Sequence, residues 1–242
     1  MPTRFPGGIN NATPNTALEN LPIPLPMVMG DNFFQGSRWS DAVAGTPITW
    51  TATVVGTGTR TYANTTGSFG SLTITNSAAD NDSVSLQSKG KAAIAANSGK
   101  RIFFTCRYQT NTVNSDVLLG ITNSTTTPIG SAGTEYDGTT DGIFFLRPTT
   151  GTSWSFYIRS GSTTIASASG LGTAPSGSFK ILSFEYVPTT KLVKVWIDSA
   201  QVASLSASTF PATDQYIQIA LQNGDGNARN MNVDYLYCGQ ER

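Results

Sequence analysis

Histidine is absent from the 242 residues, and that gap removes a great deal of chemistry. Without it there is no Ser-His-Asp or Cys-His nucleophile pair, no H-E-x-x-H zinc site and no two-histidine iron site. Cysteine is nearly absent too. Cys106 and Cys238 are the only two, too few for a zinc site of four thiolates. They read as two buried reduced thiols, with one disulfide as the alternative if their strands are neighbours. Charge is scarce: Asp, Glu, Lys and Arg make up 12% of the chain, against a usual share of about 25%. The net charge is zero and no block of one sign occurs. A nucleic-acid partner calls for a basic stripe and a membrane surface for a polybasic patch, so neither partner is expected. No apolar run approaches the ~20 residues of a membrane span. The opening twenty residues lack the apolar stretch of a secretion signal, so no leader is expected.

Ser, Thr, Asn and Gly fill the space that charge leaves, a composition common in extracellular, virion and sugar-binding β-proteins. The sequons at Asn11, Asn64, Asn81 and Asn123 are read as accidents of that composition. From about Thr46 onward the hydrophobic period is two. "SWSFYIR" sets Trp154, Phe156 and Ile158 against Ser155, Tyr157 and Arg159, and "FKILSFEY" sets Leu182, Phe184 and Tyr186 against Ile181, Ser183 and Glu185. "YIQIALQN" alternates Ile217, Ile219 and Leu221 with Gln218, Ala220 and Gln222. "NMNVDYLY" places Met231, Val233, Tyr235 and Tyr237 opposite Asn232, Asp234 and Leu236. Each pattern predicts a strand with one face in a core. The stretch "KLVKVWIDSAQVASLS" predicts a hairpin turning at "DSAQ". Only "KGKAAIAANSGK", Lys89 to Lys100, offers a short helix, and a loop suits it equally. About a dozen strands with little helix predict an all-β fold, two antiparallel sheets packed face to face.

The succession "RIFFTCRYQ", "DGIFFLR", "FKILSFEYVPTTKLVKVWIDSAQVASL" and "IQIALQNGDGNARNMNVDYLY" resembles the concanavalin A-like, or laminin G-like, jelly roll. The likeness runs from about Ile48 to Cys238. Two end segments, "MPTRFPGGINNATPNTALENLPIPLP" and "MNVDYLYCGQER", are similar to those of jelly-roll proteins that decorate tailed-bacteriophage capsids. That second resemblance implies a structural virion protein on the outer capsid surface, assembled in the bacterial cytoplasm. It would be a homotrimer or similar ring that binds the major capsid protein and stabilises its contacts. The alternative is a lectin-like module that binds carbohydrate or a receptor.

No catalytic role is expected, and no cofactor. Glycosidases of this fold resemble one another in an E-x-D-x-x-E run, and none of Glu19, Glu135, Glu185 or Glu241 begins one. The acidic turns carrying Asp80, Asp82, Asp137, Asp141 and Asp225 are read as turns stabilised by local hydrogen bonds. If that fails, Asp137 and Asp141 are the best calcium candidates. Trp39, Trp50, Tyr62, Tyr136 and Tyr157 are the aromatics to watch for sugar stacking, although most such residues pack inward.

The first 35 residues form a separate unit, an extended arm ahead of a sandwich spanning 36–242. Six of the chain's 12 prolines fall at positions 2, 6, 14, 22, 24 and 26. Proline is excluded from helix interiors and central strands and extends the residue before it, so "LPIPLPM" is a stiff, polyproline-like rod. The arm's partner-binding candidates are Phe5, Ile9, Leu18, Leu21, Ile23, Leu25 and Met27. Docking all seven would gain on the order of 10–20 kcal/mol before ordering costs. The other outcome is an arm that lies over its own domain as a covering strand.

Overall fold

The structure is a computed structural model that describes residues 27–31, 50–63, 71–93, 99–123, 127–130, 136–137, 140–149, 151–175 and 177–241. Fifteen strands and no helix occur among the described residues. The first five are β1 (Met27–Asp31), β2 (Trp50–Val55), β3 (Thr59–Ala63), β4 (Ser71–Thr75) and β5 (Ser83–Ala93). Then come β6 (Ile102–Thr110), β7 (Ser115–Thr122), β8 (Gly142–Arg147), β9 (Ser153–Ser160) and β10 (Thr163–Thr173). The last are β11 (Lys180–Val187), β12 (Leu192–Ile197), β13 (Ala200–Ser206), β14 (Gln215–Asn223) and β15 (Asn230–Gln240).

They form two antiparallel sheets. One has seven strands in the order β10-β9-β8-β7-β14-β5-β2. The other has eight, in the order β13-β12-β11-β6-β15-β4-β3, with β1 also paired to β15. The inner faces meet in one core, where alternation requires them to. Trp154, Phe156 and Ile158 of β9 face Leu182 and Phe184 of β11 as part of a single buried cluster. Aromatic rings bridge the layers: Phe156 lies 5.5 Å from Phe184, and Tyr108 meets Trp154 edge-on at 5.4 Å. Trp50 belongs to this core at 3% exposure, so it is withdrawn from the sugar-stacking candidates.

At one end the core stops at a charge. Arg147 sits on the inner side of β8, opposite Val117, and is fully buried. Its guanidinium donates to Ser115 O and Oγ, Thr110 Oγ1 and Thr112 O. Those neutral acceptors compensate the burial, and burial itself lowers the Arg147 pKa from its ordinary value.

Strand β15 departs from the predicted alternation. Its register against β6 pairs Val233 with Tyr108 and then Tyr235 with Arg107, so Asp234 is an extra, bulged residue. A bulge inverts the facing of everything after it. Leu236 and Cys238 therefore enter the core, while Tyr235 and Tyr237 turn outward, the reverse of the sequence pattern. Asp234 forms an ion pair with Arg107, whose guanidinium also lies 4.2 Å from the centre of the Phe179 ring.

The far edge of β15 is shared by two strands. β4 pairs with Asn230–Val233 and β1 with Leu236–Gln240, on either side of the bulge. Of the predicted arm, only Met27–Asp31 is described, as β1; Phe5, Ile9, Leu18, Leu21, Ile23 and Leu25 lie outside the described residues. The helix considered over Lys89–Lys100 is not formed at its start, because β5 continues as strand to Ala93. The predicted hairpin joins β12 to β13 through Asp198 and Ser199, at φ 49° and 70°. Two positive φ values in a two-residue loop are what the twist of the flanking strands favours.

Cys106 and Cys238 are both buried, and no disulfide joins them. They are diagonal neighbours, since Cys106 pairs with Leu236 and Cys238 with Phe104.

Candidate functional site

The outer face of the seven-stranded sheet is half apolar and half amide. Register places Tyr157, Phe144, Gly120, Gln218, Gln87 and Thr51 in one row across β9, β8, β7, β14, β5 and β2. The row beside it reads Ser155, Leu146, Leu118, Ala220, Ser85 and Thr53. Next to that, Asp116 of β7 faces Gln222 of β14, which faces Ser83 of β5.

The apolar half explains why "DVLLGIT" and "GIFFLR" are not simple alternations. Leu118, Phe144, Leu146 and Ala220 form a second buried cluster with Ile129, and Tyr136 and Tyr157 pack against it. The β7–β8 connection supplies Ile129 and Tyr136, which are joined by a backbone bridge. Tyr136 meets Tyr157 edge-on at 4.9 Å and Phe144 at 5.7 Å. Arg159 secures this cover from below. Its guanidinium lies 3.9 Å from the Tyr136 ring centre and donates to Asp137 O, Thr140 O and Ser162 O. Gly120 makes room for Phe144, since a Cβ there would stand 2.5 Å from Ile143 O and 2.6 Å from Phe144 Cα.

The polar half is wired by amides. Gln87 Nε2 donates to Gln218 Oε1 at 2.9 Å and to Asn123 O at 3.1 Å, and Gln218 Nε2 donates to Ser85 Oγ. Thr122 Oγ1 adds a bond to Gln218 Oε1 at 3.3 Å. Gln218 is buried, Gln87 and Thr53 are half-buried, and Thr51 is exposed. Fixed amides beside aromatic side chains can recognise a ligand that carries hydroxyls on an apolar frame.

Asp116 is the carboxylate in these rows. It is fully buried, and its oxygens accept from the Thr149 backbone N at 2.6 Å and hydroxyl at 2.8 Å. Burial pushes its pKa up to about 6, against the lowering effect of the Thr149 bonds and Arg147, and the charge of Asp80 raises it further.

Of the aromatics singled out by sequence, the structure brings Tyr136 and Tyr157 together, both half-buried on this face. Trp39 and the Tyr62 side chain lie outside the described residues. Asp141 is a turn residue, its two oxygens accepting from the N–H groups of Gly161 and Ser162 at 2.8 Å each. Asp137 joins its own loop through its backbone, to Pro128 and Thr140. Asp225 pairs with Arg229 and accepts from Asn227 N, and Asp82 accepts from Ser77 Oγ. Among the described residues no three His, Cys, Asp or Glu side chains come together. Sequence reasoning passed over Gln87, Gln218, Asp116 and Arg159. The available signal was the unbroken apolar run "IFFL", which marks a strand covered on both faces.

No protein-family model matches the chain, and no curated protein matches it. Solved structures do. The carbohydrate recognition domain of Emp47p superimposes with a TM-score of 0.57 at 14% identity, covering 86% of this chain and 99% of that one. The β-glucanase of Bacillus licheniformis gives 0.57 at 13% identity, over 89% of this chain and 98% of that one. The endo-β-1,4-glucuronan lyase of Trichoderma reesei gives 0.55 at 15% identity, over 77% and 90%. At these identities the likeness establishes the fold: an all-β jelly-roll sandwich shared by lectin and glucanase domains.

Proposed function

We propose that this protein is a lectin-like carbohydrate-binding module that uses the outer face of the seven-stranded sheet. The observation that carries the reading is the row from Thr51 through Gln87 and Gln218 to Phe144 and Tyr157. A sugar ring has hydroxyl edges and C–H faces. Exposed Thr51 and half-buried Gln87, held in place by the buried Gln218, supply polar groups for the first, and a tyrosine ring with a polar tip suits the second. That one structural neighbour is named for carbohydrate recognition and another for glucan supports this choice of ligand class.

The module is read as non-catalytic. Glycoside hydrolysis generally needs two carboxyl groups about 5–10 Å apart across the scissile bond. On this face Asp116 is committed to Thr149, and Glu185 and Glu241 pair with Arg101 elsewhere. Capsid decoration rests on the two end segments. The opening one, which ends at Pro26, lies outside the described residues, and the closing one runs along β15 as far as Gln240.

The test is a glycan array probed with the full chain, with and without calcium. Binding to one sugar class is expected, reduced at least tenfold by Tyr157→Ala, with near-ultraviolet circular dichroism confirming the fold. A folded chain that binds no glycan class would overturn the reading.

A further inference from the structure

Among the described residues, two large hydrophobic side chains are left exposed, Val54 at 39% and Val55 at 45%. Both belong to β2. Trp50 and Ala52 reach the core from this strand, so Val54 shares the inner face, at its rim, and Val55 stands on the outer one. β2 is the last strand of the seven-stranded sheet, paired to β5 on one side and, among the described strands, to none on the other. An edge strand presents a row of N–H and C=O groups on its open side, a template for a further strand.

The edges of the sandwich differ in how they meet that hazard. β10 pairs with β9 through three register shifts, and β13 pairs with β12 through one. Such irregularities blunt an edge against further pairing. β3 carries Arg60, and charge discourages edge contact in the same way. β2 has none of these devices. Its register with β5 runs unbroken from the Trp50–Ser88 pair to the Val55–Ser83 pair, and it holds no charge and no proline. In the sequence, no charged residue stands between Asp41 and Arg60. Thr51, Thr53, Val54 and Val55 are all β-branched, the type that packs well across neighbouring strands.

Such an edge fits a partner that is itself a regular, uncharged, β-branched strand, and the chain carries one on its own surface. We propose that β2 docks against β2 of a second copy, antiparallel about a two-fold axis that passes near Thr53 and is normal to the sheet. That pairing sets Val54 and Val55 of one copy against Ala52 and Thr51 of the other. Like charges directly opposite one another are destabilising, and here none meet. The contact uses the same strand on both sides, so it closes at two copies. Six residues a side make a small interface, so the dimer forms and dissociates with concentration. The two seven-stranded sheets become one continuous sheet, with both outer faces on the same side. A ligand with two epitopes for that face would meet two binding surfaces at once, which raises avidity without any new contact. The pairing itself does not depend on what the face binds.

The experiment is sedimentation velocity of the full chain from about 1 µM to 1 mM, a range that brackets weak to moderate association. The mass should rise from that of one chain to that of two and stop there. Val55→Lys puts a charge at an exposed position on the docking edge and should weaken the dimer by roughly tenfold or more, with near-ultraviolet circular dichroism confirming the fold. Ser169→Lys puts the same charge at an exposed position on the β10 edge and should leave the dimer unchanged. A chain that stays monomeric throughout, growth beyond two copies, a Val55→Lys variant that pairs as tightly as the unmodified chain, or a Ser169→Lys variant that loses the dimer would each refute the β2 pairing.

Discussion

The guanidinium of Arg159 lies 3.9 Å from the centre of the Tyr136 ring, and through this contact a β9 side chain holds the β7–β8 connection onto the sheet. Three carbonyls from two loops, those of Asp137, Thr140 and Ser162, accept from the same group. Arg159→Ala would strand the buried Thr140 carbonyl and release the other two, so it should destabilise the protein by about 2–4 kcal/mol in urea unfolding. Arg159→Lys keeps the charge but not the planar fork, and should recover less than half of that loss.

Asp116 makes stability depend on pH. Its pKa rises from an ordinary 3.8 to about 6 in the folded protein, mainly because burial disfavours the charged form. The native state therefore holds a proton that the unfolded state has released. This contribution is complete below about pH 4 and is lost as pH climbs toward 6. Unfolding free energy should fall by about 2–3 kcal/mol over that window from this group alone. Asp116→Asn should flatten the pH profile, measured by urea titration at half-unit steps.

Gly120 is required by a close approach. A methyl group there would stand 2.5 Å from Ile143 O, in backbone that cannot swing aside. Gly120→Ala should cost about 1–3 kcal/mol, by overpacking against β8. A thermal melt checks this. An unchanged Tm would mean that the two strands separate more readily than the register implies.

The two thiols should be silent until the protein unfolds. Burial pushes the Cys238 pKa up to about 12 and that of Cys106 higher still, so almost no thiolate exists near neutrality. A colorimetric thiol reagent should label neither in native conditions and both in denaturant. Labelling should proceed at the rate of unfolding.

The sandwich was readable wherever one face of a strand meets the core and the other is polar. Trp154, Phe156 and Ile158, or Ile217, Ile219 and Leu221, declare their side by alternation, and the structure buries them as a set. Alternation failed at Asp234, because a bulge adds one residue without changing the kinds of residue around it. Tyr235 and Tyr237 are hydrophobic enough to look like core, yet only pairing with β6 decides which side they take. The candidate site was less legible. Gln87 and Gln218 are 131 positions apart and become neighbours only through the β5–β14 pairing. Tyr136 and Tyr157 were visible as aromatics, but the Arg159 contact that joins them to one loop was not.

β15 comes last in chain order, yet it lies between β6 on one side and β4 and β1 on the other. During synthesis, three earlier strands must wait with unpaired edges until residues 230–240 leave the ribosome. Nascent chains halted before that point would expose ladders ready to pair with one another, a route to aggregation. A strand that arrives last and sits in the middle makes completion of this sheet a single late event.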